Sequence, residues 1–320
     1  MSFSQFNHTL YAGTYSNNCG VEGARIWKSS DGIDWSPFVT NGNGDPNACG
    51  VISSAEFDGN LYFGVGDWSG TTGGRIWRTD GITVTEVVGD GFGNPENFAP
   101  GGLAAFGGWL YASINNLNSD QVWRSDSGDP GSWSMVVEIG LGEPGAKDRT
   151  GLIVHDDHLF LTAQNDVLGM QVWLTADGET WQQIGLAGFG DSNNGWSESG
   201  GGMDIFNDQL YIGVINFANG GELWRYEPEV TANFTATPTS GIVPLEVTFT
   251  NTSTGTLTAN LWSFGDGVTS TLTSPVHIYG TTGVYTVTLT ADSFGNTDTI
   301  TKTNYITVEN RKFFLPVVSR

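Results

Sequence analysis

Positive charge is scarce in this chain: 12 Lys and Arg stand against 34 Asp and Glu, a formal net charge of −22 at pH 7. So anionic a surface repels phosphate backbones and acidic lipid headgroups, which excludes nucleic acid as a partner class. Apolar runs are short, none approaching the roughly 18 residues that a membrane-spanning helix needs, so no membrane insertion is expected. Helical periodicity is missing too, since no long stretch places apolar residues three and four apart. Cysteine is nearly absent, with Cys19 and Cys49 the two copies among 320 residues, which excludes a cysteine-rich zinc cluster. Both lie in loops expected on one face of the first repeat described below. A disulfide between them and two free thiols are both open, and the disulfide would agree with export. The opening residues, MSFSQFNHTLYAGTY, lack the basic start and apolar block of an export signal. Because the sequence opens inside a repeat, that signal is expected to have stood upstream. The chain is therefore read as extracellular or displayed at a cell surface, and as a monomer.

What is abundant is glycine, at 46 residues, and tryptophan, at 12, while charged residues make up only 14%. That balance suits many short strands joined by tight turns. The pairs Leu10-Tyr11, Leu61-Tyr62, Leu110-Tyr111, Leu159-Phe160 and Leu210-Tyr211 recur at spacings of 51, 49, 49 and 51 residues. A second marker follows each: Arg25-Ile26-Trp27, Arg75-Ile76-Trp77, Gln121-Val122-Trp123, Gln171-Val172-Trp173 and Glu222-Leu223-Trp224. Two markers in one register define a module of about 50 residues with four strand-length runs, A to D, the period of a β-propeller. Such small sheets can bury their faces only against neighbouring copies. Strand A is read in VISSAEF and GGLAAF, strand B in LYFGVG and LYASIN, and strand C in the tryptophan triplet. Strand D follows turns such as Asp31-Gly32 and Asp177-Gly178, where glycine supplies the positive φ of a tight hairpin.

These C-to-D hairpins resemble a shortened Asp-box, the hairpin of sialidase-type and related propellers, which implies the architecture and carries no activity. The repeated tryptophans are expected to pack between sheets. Trp68, Trp109 and Trp196 have no counterparts in the other copies, and Trp68 and Trp196 are expected in polar loops. The fifth module stops after strand C, at GGELWRYE. The expected fold is therefore all-β, a five-bladed β-propeller over 1–226 with its last blade incomplete and the closing strand upstream of Met1.

A Thr-rich region of different character follows, over 227–310, with a short tail at 311–320. Its segments Trp262-Ser263-Phe264-Gly265-Asp266-Gly267, His277-Ile278-Tyr279 and Gly283-Val284-Tyr285-Thr286-Val287-Thr288-Leu289 resemble a PKD (polycystic-kidney-disease) domain. That resemblance implies an immunoglobulin-like β-sandwich with Trp262 in its core and a turn at 265–267. It also implies an extracellular spacer or adhesion module, and no catalysis. Independently, the alternation in LEVTFTN and VYTVTLTAD reads as half-buried strands.

Two polar rings follow the repeat. The D-to-A loops carry Asp45, Asn94, Glu143 and Asp191, each after a Gly-x-Gly, and the sixth residue past each strand-B leucine is Ser16, Asp67, Asn116, Asn165 or Asn216. One reading is structural: short Asp and Asn side chains cap nearby backbone. The other is functional: carboxylates and amides meet sugar hydroxyls, with Trp68 and Trp196 as stacking platforms, and a calcium ion could use the same oxygens. Catalysis by a carboxylate pair drawn from Asp67, Glu143 and Asp191 is the competing reading. The arginines belong to strand C, leaving Arg149 nearly alone on the loop side, which disfavours a sialidase. His155-Asp156-Asp157-His158 sits at an A-to-B turn and is read as a turn rather than a metal site. The function expected is non-catalytic binding or scaffolding, with an extracellular polysaccharide or a surface protein as partner. A propeller glycoside hydrolase and a protein-binding adhesion unit are the alternatives.

Overall fold

A computed structural model describes residues 2–116, 118–139, 146–196, 202–226, 230–255, 257, 259–293 and 296–311. The chain divides into two compact units, Met1–Arg225 and Tyr226–Arg320.

In the first unit every described strand belongs to a small antiparallel sheet, and the sheets follow one another along the chain. The first holds β1 (Ser2–Phe6), β2 (Thr9–Gly13), β3 (Ile26–Ser29) and β4 (Ser36–Val39). The second holds β5 (Gly50–Phe57), β6 (Asn60–Gly66), β7 (Arg75–Thr79) and β8 (Val84–Val88). The third is β9 (Asn97–Phe106), β10 (Trp109–Asn116), β11 (Asp120–Ser125) and β12 (Ser134–Ile139). The fourth is β13 (Ala146–His155), β14 (His158–Asn165), β15 (Gln171–Thr175) and β16 (Gln182–Ile184). In the fifth, β17 (Asn194–Trp196) and β18 (Met203–Phe206) share one edge of β19 (Gln209–Asn216), and β20 (Glu222–Arg225) takes the other. The first hairpin of each sheet is a two-residue turn. Asn7-His8, Asp58-Gly59, Gly107-Gly108, Asp156-Asp157 and Asn207-Asp208 all have positive φ, the twist that a right-handed strand pair requires. His155 and His158 are thereby hairpin partners flanking a turn, with His158 Nδ1 2.6 Å from the Asp156 carbonyl.

The sheets pack face to face in chain order. Tyr11, Ile26 and Val39 of the first meet Leu61, Phe63, Val65 and Trp77 of the second. Tyr62, Ile76 and Val88 of the second meet Leu110, Ala112 and Ile114 of the third. Tyr111 and Val122 of the third meet Leu159, Leu161 and Ala163 of the fourth. Each buried aliphatic side chain contributes roughly 1.5–3 kcal/mol, so these seams dominate the stability of the unit. Trp77, Trp123 and Trp173 sit in the seams facing the preceding sheet.

A polar contact repeats beside each seam. The strand-B tyrosine and the cation after the strand-C tryptophan reach the C-to-D turn of the next sheet. Lys28 Nζ lies 3.4 Å from the Gly81 carbonyl, with the Tyr11 hydroxyl over the same glycine. Tyr62 donates to the Ser127 carbonyl at 3.4 Å while Arg78 pairs with Asp129 at 2.6 Å. Tyr111 donates to the Gly178 carbonyl at 3.4 Å while Arg124 pairs with Glu179 at 2.8 Å. In the fourth sheet these two positions are Phe160 and Leu174, and no C-to-D turn follows β20 among the described residues. The C-to-D turns are themselves tied. Ser29 or Thr175 donates to Asp31 or Asp177, whose oxygen accepts two backbone amides further on. Those amides hold both carboxyls below the usual carboxylate range.

The second unit is a two-sheet sandwich. One sheet is β21 (Phe234–Thr237), β23 (Leu245–Asn251) and β26 (Val276–Tyr279). The other orders β22 (Ser240–Ile242), β28 (Asn296–Glu309), β27 (Gly283–Ser293), β24 (Ala259–Ser263) and β25 (Thr269–Ser270). Trp262 is fully buried against Phe234 and Phe249 and donates its indole N–H to the Leu272 carbonyl at 2.9 Å. Gly265 (φ 85°) presses on the Thr286 backbone, where a Cβ would stand 2.4 Å from the carbonyl oxygen. Asp266 caps Val268 and holds His277 Nε2 at 2.7 Å, and the His277 ring stacks on Phe264 at 4.2 Å. The chain enters beside Asp298, which accepts the Ala232 amide, and β28 then runs to Thr307 and Val308 beside Ser240 and Gly241.

The seam contacts make a stability prediction. Gly178 and Gly59 have similar φ, 75° and 71°, but a Cβ on Gly178 would stand 1.9 Å from the Tyr111 hydroxyl, whereas Gly59 has nothing within 4 Å. Thermal melts should place Gly178→Ala at least about 1 kcal/mol below Gly59→Ala, beyond the backbone cost common to both. Equal melting temperatures would mean that the tyrosine does not seat on this turn.

Candidate functional site

The B-to-C loops follow one local plan. At the end of each strand B the side chain six residues past the leucine turns back and caps the loop. The Asn116, Asn165 and Asn216 carbonyl oxygens each accept two amides, from Asn118 and Ser119, Val167 and Leu168, and Ala218 and Asn219. Ser16 accepts one, from Asn18. Asp67 goes furthest. One oxygen accepts the Ser69 amide at 2.8 Å and hydroxyl at 2.5 Å, and the other accepts the Thr72 amide and hydroxyl, both at 2.8 Å, and the Gly73 amide at 3.1 Å. Burial alone would raise this carboxyl, but the hydroxyls and amides of Ser69 and Thr72 outweigh it and hold it below the usual range.

The D-to-A loops are equally occupied. Asp45 caps the Asn47 amide and pairs through its other oxygen with Arg75, a buried guanidinium that also reaches Glu86 at 3.4 Å. Asn94 caps Glu96. Asp191 caps Asn193 and accepts Asn216 at 3.0 Å and Asn219 at 3.3 Å, contacts that together hold its carboxyl low. Glu143 lies outside the described residues. Two further residues join the rings: Asn97 bridges Asn116 and Gln121, and Asn194 bridges Asn216 and Glu222. Repeat spacing alone carries that signal, since both open strand A of their sheets.

The tryptophans separate. Trp109 lies within β10 with the Arg124 guanidinium 4.3 Å over its ring, a packing contact. Trp196, expected in a loop, lies in β17, where ladder pairing to Ile215 of β19 extends the strand through it. Trp68 is in the B-to-C loop and 45% exposed. Its indole rests on the backbone of Gly50 and Gly66, and a Cβ at either would stand 2.7 Å from its ring carbons. Beside it lies the ring of Tyr15, itself 41% exposed, at a centroid distance of 5.4 Å and tilted by 41°. A disulfide between Cys19 and Cys49, with Cα atoms 5.2 Å apart, ties the loop carrying Tyr15 to the residue before Gly50. Ser16, Asn17 and Asn18 line a cleft of about 400 Å³ alongside Tyr15. A second cleft, about 350 Å³, is lined by Gln164, Asp166, Ser192, Asn193 and the 82%-exposed Phe217.

Tyr15 was not among the residues expected from the sequence. A signal existed: position 66 is Gly only in the second repeat, the others having Tyr15, Asn115, Gln164 and Ile215. A glycine breaking the repeat beside a tryptophan that also breaks it marks a ring laid over backbone. For metals, the one cluster of suitable side chains among the described residues is Cys19, Cys49 and Asp67. The disulfide uses both sulfurs and the loop uses Asp67, so this set does not fit an ion.

Residues 225–308 match the PKD domain family. This segment is a PKD domain. Its relatives among solved structures include the PKD1 domain of Vibrio anguillarum Epp, 33% identical over 25% of this chain and 95% of that one, with a TM-score of 0.22. The chain is also similar to an α-L-arabinofuranosidase, CtGH43, from Clostridium thermocellum, with 13% identity over 68% of this chain and 81% of that one and a TM-score of 0.41. A GH43 endo-arabinanase from Bacillus licheniformis shows 15% identity over 71% and 92%, with a TM-score of 0.40. Likeness at this level carries no argument about chemistry. No curated protein matches the chain.

Asp67 makes a pH prediction. In Asp67→Asn an amide N–H₂ replaces the oxygen that faces the donors of Thr71, Thr72 and Gly73, leaving them unsatisfied, at a cost of about 1–3 kcal/mol at pH 7. Because the folded carboxyl titrates below its unfolded value of about 4, the wild type holds this advantage above that value. The advantage is lost as pH falls through the folded value. Denaturant melts at pH 7 and pH 2 should show the difference between the two proteins shrinking; a constant difference would mean that the carboxylate is not held by its loop.

Proposed function

We propose that the first unit is a five-bladed β-propeller whose loop face binds glycans without cleaving them, in a secreted or surface-displayed protein whose PKD domain serves as a spacer or adhesion module. Ring closure is supported by the repeat alone: the fifth sheet carries its tyrosine and cation, Tyr211 and Arg225, which here reach Gln209 of their own sheet, and the first sheet carries a turn of the same kind at 29–34. The observation that carries the binding reading is the Trp68–Tyr15 pair: two half-exposed aromatic rings seated side by side on a glycine floor, beside hydroxyl and amide groups. Aromatic faces of this kind take the apolar face of a sugar ring while neighbouring amides take its hydroxyls. An extracellular setting is supported by the disulfide and the PKD domain, and no helix of the described residues is long and apolar enough to cross a membrane.

The non-catalytic reading rests on the carboxylates. A glycosidase needs one carboxyl kept protonated near neutrality beside a second that is ionised. Asp67 and Asp191 are both held low; Asp67 spends its oxygens on its own loop, and Asp191 divides its between its own loop and the amides of Asn216 and Asn219.

A glycan array with the intact chain, run with and without calcium, tests the assignment. Trp68→Ala should weaken binding at least about tenfold, the ~1.4 kcal/mol expected from one aromatic face, with little change in Tm. Gly66→Ala should do the same by lifting the indole from its seat. Absence of binding to any glycan would refute the proposal, and new reducing ends on a bound glycan would move the assignment to a hydrolase.

A further inference from the structure

A cleft of about 660 Å³ lies where the edge strand β8 of the second sheet meets β11 and the C-to-D hairpin of the third. Its lining includes three aromatic side chains, Phe92, Trp123 and Trp133, and two carboxylates, Glu86 and Asp90. Phe92 stacks on Trp123 at a centroid distance of 4.7 Å and meets Trp133 at 5.6 Å with the rings nearly perpendicular, so three half-buried rings in contact face one cavity. Among the described residues that line it there is no lysine or arginine.

The carboxylates have charge to spare. Glu86 gives Oε2 to the Trp77 indole and to the Arg75 guanidinium, each at 3.4 Å, but Arg75 already pairs with Asp45, so two carboxylates share one cation. The other oxygen, Oε1, lies over Gly89 in the cleft lining. Asp90 is exposed, and its side chain makes no hydrogen bond or ion pair among the described residues. Both carboxylates also break the repeat. Opposite the strand-C tryptophan the other sheets carry Pro37, Met135 and Gln183 where the second carries Glu86. Before the first loop glycine stand Asn41, Ile139 and Ala187 where the second sheet has Asp90. A role in holding the sheets together would recur in every seam, and this pair does not.

Aromatic rings attract cations through the negative potential of their faces, most effectively when the cation sheds its water easily, as a methylated ammonium does and a lysine-type ammonium does not. We propose that this cleft binds a quaternary ammonium, a small organic cation of the choline class, whose methyl groups meet Phe92, Trp123 and Trp133 while Glu86 and Asp90 balance its charge. The ligand carries no anion of its own, because a phosphate or carboxylate beside the ammonium would be pressed toward two carboxylates on a chain of net charge −22. That selects a free cation over a phospholipid headgroup. The cleft shares no residue with the Trp68–Tyr15 pair, and this inference is independent of the glycan reading.

The test titrates the full chain with choline chloride at constant ionic strength. Calorimetry should show one site per chain with a dissociation constant of about 1 mM, within reach of three cation–π contacts and an exposed ion pair. The carbon isostere of choline, with carbon in place of the ammonium nitrogen, should bind at least tenfold more weakly. Asp90→Asn, at an exposed side chain whose replacement leaves folding intact, should weaken choline about threefold. Phe92→Ala should weaken it about tenfold, with an unfolding melt confirming that the variant is folded. Phosphatidylcholine vesicles should not carry the chain down on centrifugation. Equal binding of the isostere, unchanged affinity in both variants, or no choline binding at about 10 mM overturns the proposal. Sedimentation with vesicles that free choline competes away also overturns it, assigning the cleft to a lipid headgroup.

Discussion

A four-stranded sheet with apolar side chains on both faces cannot fold alone in water, because each face must be covered and neither can be covered by the sheet itself. Everything in the first unit answers to that constraint. The apolar side chains of strands B and C of one sheet pack against those of the next, so the module is stable only as a member of a row. Tyr11, Tyr62 and Tyr111 show how alignment is achieved: apolar rings lie in the seams while hydroxyls reach the neighbouring turn. Exposed pairs such as Arg78 with Asp129 add little energy, and their role is orientation.

The loop face obeys a second rule, that backbone groups at the ends of buried strands need partners. Asp and Asn at one repeat position supply them, and what looks like a ring of ligands is largely a ring of caps. Asp67, Asn116, Asn165 and Asn216 are buried and bonded to their own loops, and Asp45 is committed to Arg75. The distinguishing chemistry sits where the repeat is broken. A tryptophan on a floor of two glycines, braced by a disulfide-tied loop, has no equivalent among the other described loops.

The strand order, the hairpin turns, the sandwich and the packing role of Trp77 and Trp262 were legible in the sequence because each follows from a period or a turn residue. The site was legible in part. Trp68 stands out by breaking the repeat, but its partner Tyr15 comes from the preceding sheet, and contacts between modules leave no trace in the spacing within one. Trp196 misleads for the opposite reason: the Gly, Ser and Asn around it read as loop, while pairing with Ile215 makes it strand. The caps at 67, 116, 165 and 216 were visible as a pattern, but only their hydrogen bonds separate a cap from a ligand.

In the second unit the chain comes in beside Asp298 and runs out along β28 toward Val308, some ten residues further up the same strand, about 30 Å at the usual rise of a strand. Entry and exit therefore lie at opposite ends. Tension pulled through them runs parallel to the long ladder between β27 and β28. Its hydrogen bonds would have to fail together in shear rather than open one after another like a zip. A module of this geometry resists being stretched along the line from its entry to its exit.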